Sequence, residues 1–200
     1  MTPEEKINKF SNTEIDDIIH EYKKNINSHV IHFIINDKPI PYARARLGRS
    51  GIFYNPKAAI ENKYRRIFSQ ELSAEDNQLL TKLLTSSTAK YHVEINGRFY
   101  VSIPQADSAK TTLLKEKGII RPELRNGDID NYMKLILDAL HKVLYNDDKI
   151  VMSIHAEKFY SINPRSEIDV TLYILKKFKV GGAYEYLFAW YPIWSIFKIL

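Results

Sequence analysis

The sequence predicts a domain of the α+β class, in which a small mixed or antiparallel sheet packs with helices. Short segments such as residues 167–175 alternate apolar and polar side chains, as half-buried strands do. Residues 58–72 and 130–144 instead repeat apolar side chains at helical spacing, and the strands and helices do not follow a regular βαβ order. With 200 residues, 44% of them hydrophobic and 26% charged, the chain can bury a core without disulfides or zinc.

The first half of the chain begins with a helix and a strand. Residues 11–14, Ser-Asn-Thr-Glu, have the pattern of a capping box, which predicts a helix over residues 12–25. Residues 29–35 are mostly apolar and end before turn residues and two prolines, which predicts a strand. Residues 58–72 and 74–84 then predict two consecutive helices.

The second half contains the remaining strands. Residues 91–103 predict either one strand or a hairpin, with Asn96-Gly97 as the turn signal. Residues 104–127 are polar and basic and predict a long mobile connection. Residues 149–160 and 167–175 both alternate, and the turn-rich residues between them predict an antiparallel hairpin.

The positive charge of the chain is concentrated in one stretch. The net charge is +5, yet residues 38–66 contain eight Lys or Arg and one Glu, a net of +7, whereas residues 1–25 have a net of −2. Such a patch indicates a polyanionic partner, although a solvated basic surface is the alternative. The predicted contacts to this polyanion are Arg44, Arg46, Arg49, Lys57, Arg65 and Arg66, together with Lys115 and Lys117 from the mobile connection.

The cysteine content and the two ends of the chain indicate the cellular compartment in which we expect the protein. The chain has no cysteine, which excludes thiol catalysis and Cys-ligated zinc and fits a reducing cytoplasm. Residues 1–5 show no secretory signal, and the apolar stretch 187–200 is shorter than a span of roughly 20 residues and contains Pro192. We therefore expect a soluble, cytoplasmic protein that uses no small-molecule cofactor.

The most informative feature is a group of charged residues around the helix at 130–144. Placed on a helical wheel, Asp130, Lys134, Asp138 and His141 fall within roughly an 80° arc, opposite the apolar side. Asp128 precedes this helix, and a pair of aspartates follows it at 147–148.

Clustered carboxylates repel one another unless a cation compensates, and hard oxygen ligands suit Mg²⁺. Such an ion can activate water beside a phosphate, which Lys134 can hold as a point cation. The structural alternatives are that acids favour the start of a helix, that Asp138 pairs with Lys134, and that His141 is an ordinary surface residue.

The whole pattern resembles the RusA family of Holliday-junction resolvases. The run Gly-Asp-Ile-Asp-Asn-Tyr-Met-Lys at 127–134 is followed by Asp-Ala-Leu at 138–140 and by Asp147-Asp148. Residues 39–46 match the family's early Pro-x-Pro-x-x-x-x-Arg segment, and residues 53–56 match the start of its next helix. Three departures are Gly127, where the family usually has proline, Tyr132, where it usually has leucine, and Lys149-Ile150, where it commonly has x-Gln-hydrophobic.

The resemblance implies specific roles and an assembly. Asp128, Asp130 and Asp148 would be the metal-binding and catalytic acids, and Lys134 the catalytic lysine. Family members are α+β homodimers that cut four-way DNA junctions symmetrically with Mg²⁺ or Mn²⁺, in recombination and repair. A two-fold dimer suits two equivalent cuts. The resemblance also implies a bacterial or phage source, and hence the cytoplasm of a bacterial cell or of the phage's host.

The resemblance predicts three regions: an N-terminal helical extension (1–28), a RusA-like endonuclease domain (29–180) and an aromatic, apolar C-terminal tail (181–200) that packs on the body or in a dimer interface. Two other functions stay open. One is a non-catalytic protein that binds junctions or branched DNA. The other is a different aspartate-cluster metal enzyme acting on nucleotide phosphates, which the missing βαβ order and the basic stretch disfavour.

Overall fold

A mixed sheet of four long strands forms the centre of the fold. The computed structural model describes residues 2, 8–24, 26–43, 46–47, 53–54, 56, 58–85, 90–123, 127–175, 178–180 and 183–185. Its strands are β1 (Ile26–Ile35), β2 (Arg46–Leu47), β3 (Phe53–Tyr54), β4 (Lys90–Ser102), β5 (Val151–Ser161), β6 (Arg165–Leu175), β7 (Phe178–Val180) and β8 (Ala183–Glu185). The central sheet has the order β1-β6-β4-β5, with β4 and β5 parallel and the other pairs antiparallel. The predicted α+β class with a mixed sheet is confirmed.

The described residues contain five α-helices, and all but the fourth lie close to where periodicity predicts them. They are α1 (Asn12–Lys24), α2 (Ala58–Glu71), α3 (Ala74–Thr85), α4 (Ala109–Glu116) and α5 (Ile129–Leu140). The predicted capping box is present before α1, because the Ser11 amide donates to Glu14 Oε2 at 2.8 Å and the Glu14 amide donates to Ser11 Oγ at 3.3 Å.

Helix α5 ends earlier than the apolar period predicts. Lys142 has a positive φ of 71°, and its amide donates to the carbonyl of Tyr145 at 2.7 Å. Residues 141–145 therefore form a tight turn rather than another helical turn. Leu144 is nevertheless fully buried, so the apolar side chains beyond the helix still face the core as predicted.

The predicted hairpin between β5 and β6 is wrong. Both strands exist, but β4 lies between them, so the turn at residues 162–164 passes over the end of β4. The two strands are then about 10 Å apart, a distance that the four Cα–Cα steps from Ser161 to Arg165 span easily. Alternation of side chains reveals that a segment is a strand but does not reveal its neighbour.

The predicted mobile connection at 104–127 is also wrong in its central part. It contains α4, which is capped by Ser108, whose Oγ accepts from the Thr111 amide at 3.2 Å. Lys115 on this helix is buried, and its Nζ donates to Asp107 at 2.6 Å. The polar and basic composition of this segment therefore did not reveal that it contains a short helix with a buried lysine.

The core lies between one face of the sheet and helices α2 and α5. Six side chains of α5 are buried, and Phe33 of β1 packs on Phe68 of α2 with ring centroids 4.8 Å apart. Gly97 lies inside β4, which is a single strand and not the alternative hairpin. An ideal Cβ at Gly97 would lie 2.6 Å from the sulfur of Met133, so the glycine allows α5 to approach the sheet.

Two predictions concern the ends of the chain. Strands β7 and β8 pair with each other, and residues 186–200, which include most of the predicted aromatic tail, lie outside the described residues. Within the part of the chain that the structure describes, no helix has both the length and the apolar character needed to cross a bilayer. The three predicted regions stay predictions, and β1 starts at Ile26, just before the predicted boundary at 28.

Replacing Tyr64 with phenylalanine should stabilise the fold. Tyr64 is 2% exposed and its hydroxyl has no hydrogen-bond partner among the described residues, so Tyr64→Phe should raise the free energy of unfolding at pH 7 by about 1 kcal/mol. Burial, assisted by the charge of Asp37, raises the pKa of Tyr64 from 10.0 to about 12. The unfolded chain therefore loses this proton first, and wild-type stability should fall by about 2–3 kcal/mol between pH 10 and 12.

Urea unfolding across this pH range measures both effects. In Tyr64→Phe, the part of the stability loss between pH 10 and 12 that is due to Tyr64 should disappear. The matched control is Tyr91→Phe, which removes a hydroxyl that donates to the Leu144 carbonyl at 3.1 Å and should lower stability at pH 7 by about 1 kcal/mol. Equal losses in both variants would contradict the prediction.

Candidate functional site

The beginning of α5 presents two aspartates to solvent. Asp128 is the last residue before the helix and Asp130 lies in its first turn, and both side chains are exposed. Asp128 makes no side-chain capping hydrogen bond, and neither carboxylate has a hydrogen bond or ion pair within the described residues. Two carboxylates at the positive end of a helix dipole are thus available to a ligand.

The loop that carries these acids is fixed from two sides. Gly127 has a φ of +82°, in the left-handed region that favours glycine, and an ideal Cβ there would lie 3.1 Å from Pro41 Cγ. Lys158 of β5 donates from Nζ to the Gly127 carbonyl at 2.7 Å. The glycine that departs from the family pattern is therefore required by this backbone, because proline fixes φ near −65°.

The segment before the basic stretch packs on the same end of α5. Pro39 is buried, and the Tyr42 amide donates to the Asn131 carbonyl at 2.8 Å. The ammonium of Lys134, one helical turn beyond Asp130, lies 4.5 Å from the centroid of the Tyr42 ring. Asp130 and Lys134, which the helical wheel predicts on one side of α5, are both exposed, and the exposed Asp128 directly precedes the same end of the helix.

Asp138 and His141, which the helical wheel predicts beside Lys134, are both only partly exposed. Asp138 is half-buried, and burial, followed by the nearby charge of Glu61, raises its pKa above the ordinary value. No ion pair joins Asp138 to Lys134 in the described part of the chain. His141 bonds through Nε2 to the Asn146 carbonyl at 3.0 Å, which places it in the turn that ends the helix.

Asp147 and Asp148 lie beyond the opposite end of α5. Asp147 accepts from the Lys149 amide at 3.0 Å, and this bond lowers the pKa of its carboxyl. Asp148 is exposed in a short 3₁₀ turn (Asp148–Ile150). Burial, together with the charges of Asp148 and Asp138, raises the pKa of Tyr145, whose hydroxyl donates to the Leu137 carbonyl at 3.0 Å.

A single chain therefore keeps Asp148 apart from the other two acids. Helix α5, which is twelve residues and about 18 Å long, lies between Asp128 before its start and Asp148 beyond its end. Strand β5 leads to the same conclusion. It starts at Val151, three residues after Asp148, whereas Lys158, which bonds to Gly127 next to Asp128, lies about 23 Å further along the strand. Among the described residues no three His, Asp or Glu side chains form a group that could hold a metal ion. The three-acid cluster is not assembled within one chain.

The predicted DNA-contacting residues fall into three groups. Arg44, Arg49 and Lys57 lie outside the described residues, and only the backbone of Arg46 is described, in the β2–β3 ribbon. Arg66 and Lys117 are exposed, whereas Arg65 is half-buried and donates to Glu61 at 2.8 Å and to the Asp138 carbonyl at 3.0 Å. Lys115 is buried against Asp107, so its prediction as a mobile DNA contact is wrong.

Two residues that shape this site were not singled out from the sequence. Tyr42 directly follows the Pro-x-Pro pattern, so its position in the sequence could have indicated that it belongs to the site. Its residue type gave no such indication. Lys158 gave none, because its role depends on β5 lying parallel to β4 under the start of α5.

At one end of α5, an α+β fold thus presents two carboxylates, which have no partner in the described residues, together with a lysine, a set of groups that can bind a divalent cation and a phosphate. The family model described as "Endodeoxyribonuclease RusA" matches residues 37–171, and the chain belongs to this family. It is also 28% identical over 141 residues to a protein of Bacillus subtilis (strain 168) described as "Uncharacterized protein YqaN", covering 69% of this chain and 93% of that protein. Family membership makes the protein a DNA endonuclease by class.

A methyl group added at Gly127 should destabilise the loop that carries the acids. Gly127→Ala forces an alanine into a left-handed conformation, at about 1 kcal/mol, and presses it against Pro41, which should add about another 1 kcal/mol. Gly118→Ala is the matched control, because Gly118 has a φ of +72° but nothing within 4 Å of an ideal Cβ.

Urea unfolding of the two variants measures this difference. Gly127→Ala should lose more free energy of unfolding than Gly118→Ala. If the two losses are equal, the contact between Pro41 and the added methyl group at residue 127 does not lower the free energy of unfolding.

Proposed function

We propose that the protein is a Mg²⁺-dependent endonuclease that resolves four-way (Holliday) DNA junctions by paired, symmetric phosphodiester hydrolysis, in DNA recombination and repair. The observation that carries this proposal is the pair of carboxylates, Asp128 and Asp130, which have no partner in the described residues and lie near Lys134 in a chain of the RusA family. Asp128, Asp130 and Asp148 are the proposed metal-binding acids, and these three with Lys134 are the proposed catalytic residues.

The donor atoms at the start of α5 fit Mg²⁺. The ion prefers hard oxygen ligands and is commonly bound by one or two protein carboxylates, with water and substrate phosphate completing its shell. Asp128 and Asp130 provide two such carboxylates, both exposed and without a partner in the described residues. When bound, the metal lowers the pKa of a water molecule and neutralises charge on the phosphate. Mn²⁺, which takes the same ligands, is expected to substitute.

Lys134 is the residue proposed to hold the scissile phosphate. Its ammonium lies over the ring of Tyr42, whose backbone is bonded to the first turn of α5, and so on the side of Asp130. An ammonium there offers up to three hydrogen-bond donors to phosphate oxygens and stabilises the charge that develops as the P–O bond breaks.

The basic stretch is proposed to bind the DNA arms. Tyr42, fixed to the first turn of α5, is four residues before Arg46, so their Cα atoms are at most about 14 Å apart. The proposed phosphate contacts are Arg44, Arg46, Arg49, Lys57, Arg66 and Lys117. Arg65 is proposed only as a secondary contact, because Glu61 and the end of α5 already engage it. Affinity should fall steeply with salt concentration, as phosphate contacts require.

We further propose that the active form is a homodimer in which each metal site takes Asp148 from the second copy. The support is the separation of about 18 Å along α5, which keeps Asp148 from Asp128 and Asp130 within one chain. The exposed side chains of Met152 (41%) and Ile154 (47%) lie on β5 just after Asp148 and are available for contact with another chain. A two-fold dimer would also present two equivalent sites to strands of equal polarity.

Cleavage of a synthetic four-way junction tests the activity. Wild-type protein with Mg²⁺ should make paired symmetric nicks, and Asp130→Asn should slow cleavage by about 10²–10³-fold while still binding the junction, because a metal ligand is lost and no DNA contact is. Asp16→Asn, an exposed residue of α1 outside the family match, is the control with the same charge change and should cut normally.

Other outcomes separate the alternatives. Tight junction binding by the wild type without cuts in Mg²⁺ or Mn²⁺ would indicate a DNA-binding protein. Absence of junction binding together with hydrolysis of nucleotide phosphates would indicate a different metal-dependent enzyme.

Mixing two inactive variants tests the shared site. If Asp148 acts across the dimer, a mixture of Asp130→Asn and Asp148→Asn chains contains mixed dimers with one complete site each. The mixture should then recover about a quarter of the wild-type sites, seen as single nicks, because about half of randomly assorted dimers are mixed.

Wild type mixed with excess Asp130→Asn/Asp148→Asn double variant is the control. Each mixed dimer should then have two incomplete sites and be inactive. Activity in this control, with no recovery in the first mixture, would mean that each chain contains a complete site.

A further inference from the structure

We propose that Tyr42 is a positioning residue that holds the Lys134 ammonium at the Asp130 end of α5. The inference rests on the proposed function in one respect, namely that Lys134 contacts the scissile phosphate. It assigns to Tyr42 a role that neither the helical pattern of α5 nor the Pro-x-Pro segment indicates.

The backbone of Tyr42 is fixed relative to α5. Its amide donates to the Asn131 carbonyl at 2.8 Å, and the preceding Pro41 packs against Gly127. Its half-buried ring packs against the hydrophobic core. The ring is therefore a rigid surface at the level of the first turn of the helix.

Lys134 has two possible electrostatic partners on opposite sides along the helix. Asp138 lies one turn toward the C-terminal end, where an ion pair at i,i+4 spacing is common. The ammonium is instead 4.5 Å from the Tyr42 ring centroid, and no ion pair with Asp138 is present among the described residues. The charge of Lys134 still lowers the pKa of Asp138 against the larger effect of burial, so the carboxylate is close enough to compete.

The ring thus decides the direction in which the lysine points. The face of an aromatic ring attracts a cation, and this attraction competes with Asp138 at a site where both are partly exposed to water. Without the ring, the ammonium would turn toward Asp138 and away from the acids at the start of the helix. A phenylalanine ring would keep the contact, because the face and not the hydroxyl carries it.

Single-turnover cleavage of a four-way junction in Mg²⁺ measures the effect on the reaction. Tyr42→Leu should slow cleavage by about three- to ten-fold, whereas Tyr42→Phe should stay within about two-fold of wild type. In a Lys134→Met background, Tyr42→Leu should cause no further loss, because the two residues act through one contact. A loss of the same size in that background would overturn the proposal.

Nuclear magnetic resonance of protein carrying ¹³C-labelled lysine tests the contact without requiring activity. The ε-methylene protons of Lys134 should be shifted upfield by the ring current of Tyr42, a shift lost in Tyr42→Leu and retained in Tyr42→Phe. Tyr100→Leu, which removes a ring that lies under Arg165 instead, should leave the Lys134 signal unchanged.

The two measurements fail independently. If wild-type protein does not cut the junction, the proposed function fails, and the chemical shift of Lys134 still decides whether Tyr42 holds it. If the Lys134 signal is the same in Tyr42→Leu and wild type, the positioning role is overturned whatever the activity.

Discussion

The close packing of helix α5 against strand β4 is the constraint on which the rest of the structure depends. Met133 lies so near Gly97 that a Cβ on residue 97 would be 2.6 Å from its sulfur, and six side chains of the helix are buried. Burial on this scale fixes the rotation of the helix as well as its position. Asp130 and Lys134 face solvent as a direct consequence.

The same packing places the start of α5 where three separate parts of the chain meet. Pro41 and Tyr42 belong to the segment after β1, and Lys158 belongs to β5. Pro41 packs against Gly127, Tyr42 bonds to the first turn of the helix, and Lys158 donates to the Gly127 carbonyl. These neighbours hold backbone groups and leave the carboxylates of Asp128 and Asp130 without partners in the described residues. A rigid loop with uncommitted acids is preorganised for a cation and a phosphate, which is what the proposed hydrolysis requires.

Sequence patterns failed where pairing between distant segments decided the outcome. The strands β5 and β6 were predictable one by one, but β4 lies between them in the sheet, and no local pattern of side chains specifies that pairing. Lys115 was predicted to be mobile because its neighbours are polar, yet Asp107 and the ring of Tyr160 give its ammonium buried partners. Neither partner is recognisable from spacing alone.

The sequence by itself determined the family and most of the helices and strands, and it predicted the residues of the candidate site, because helical period, capping residues and the aspartate pattern are local properties. It also determined that Asp130 and Lys134 share one side of a helix. Only the tertiary structure decided that Asp148 lies beyond the opposite end of the roughly 18 Å long helix α5 from the other acids, that Gly127 adopts a left-handed backbone against Pro41, and that Tyr42 faces Lys134. These features depend on contacts between residues far apart in the chain, which hydrophobic burial brings together and no local pattern encodes.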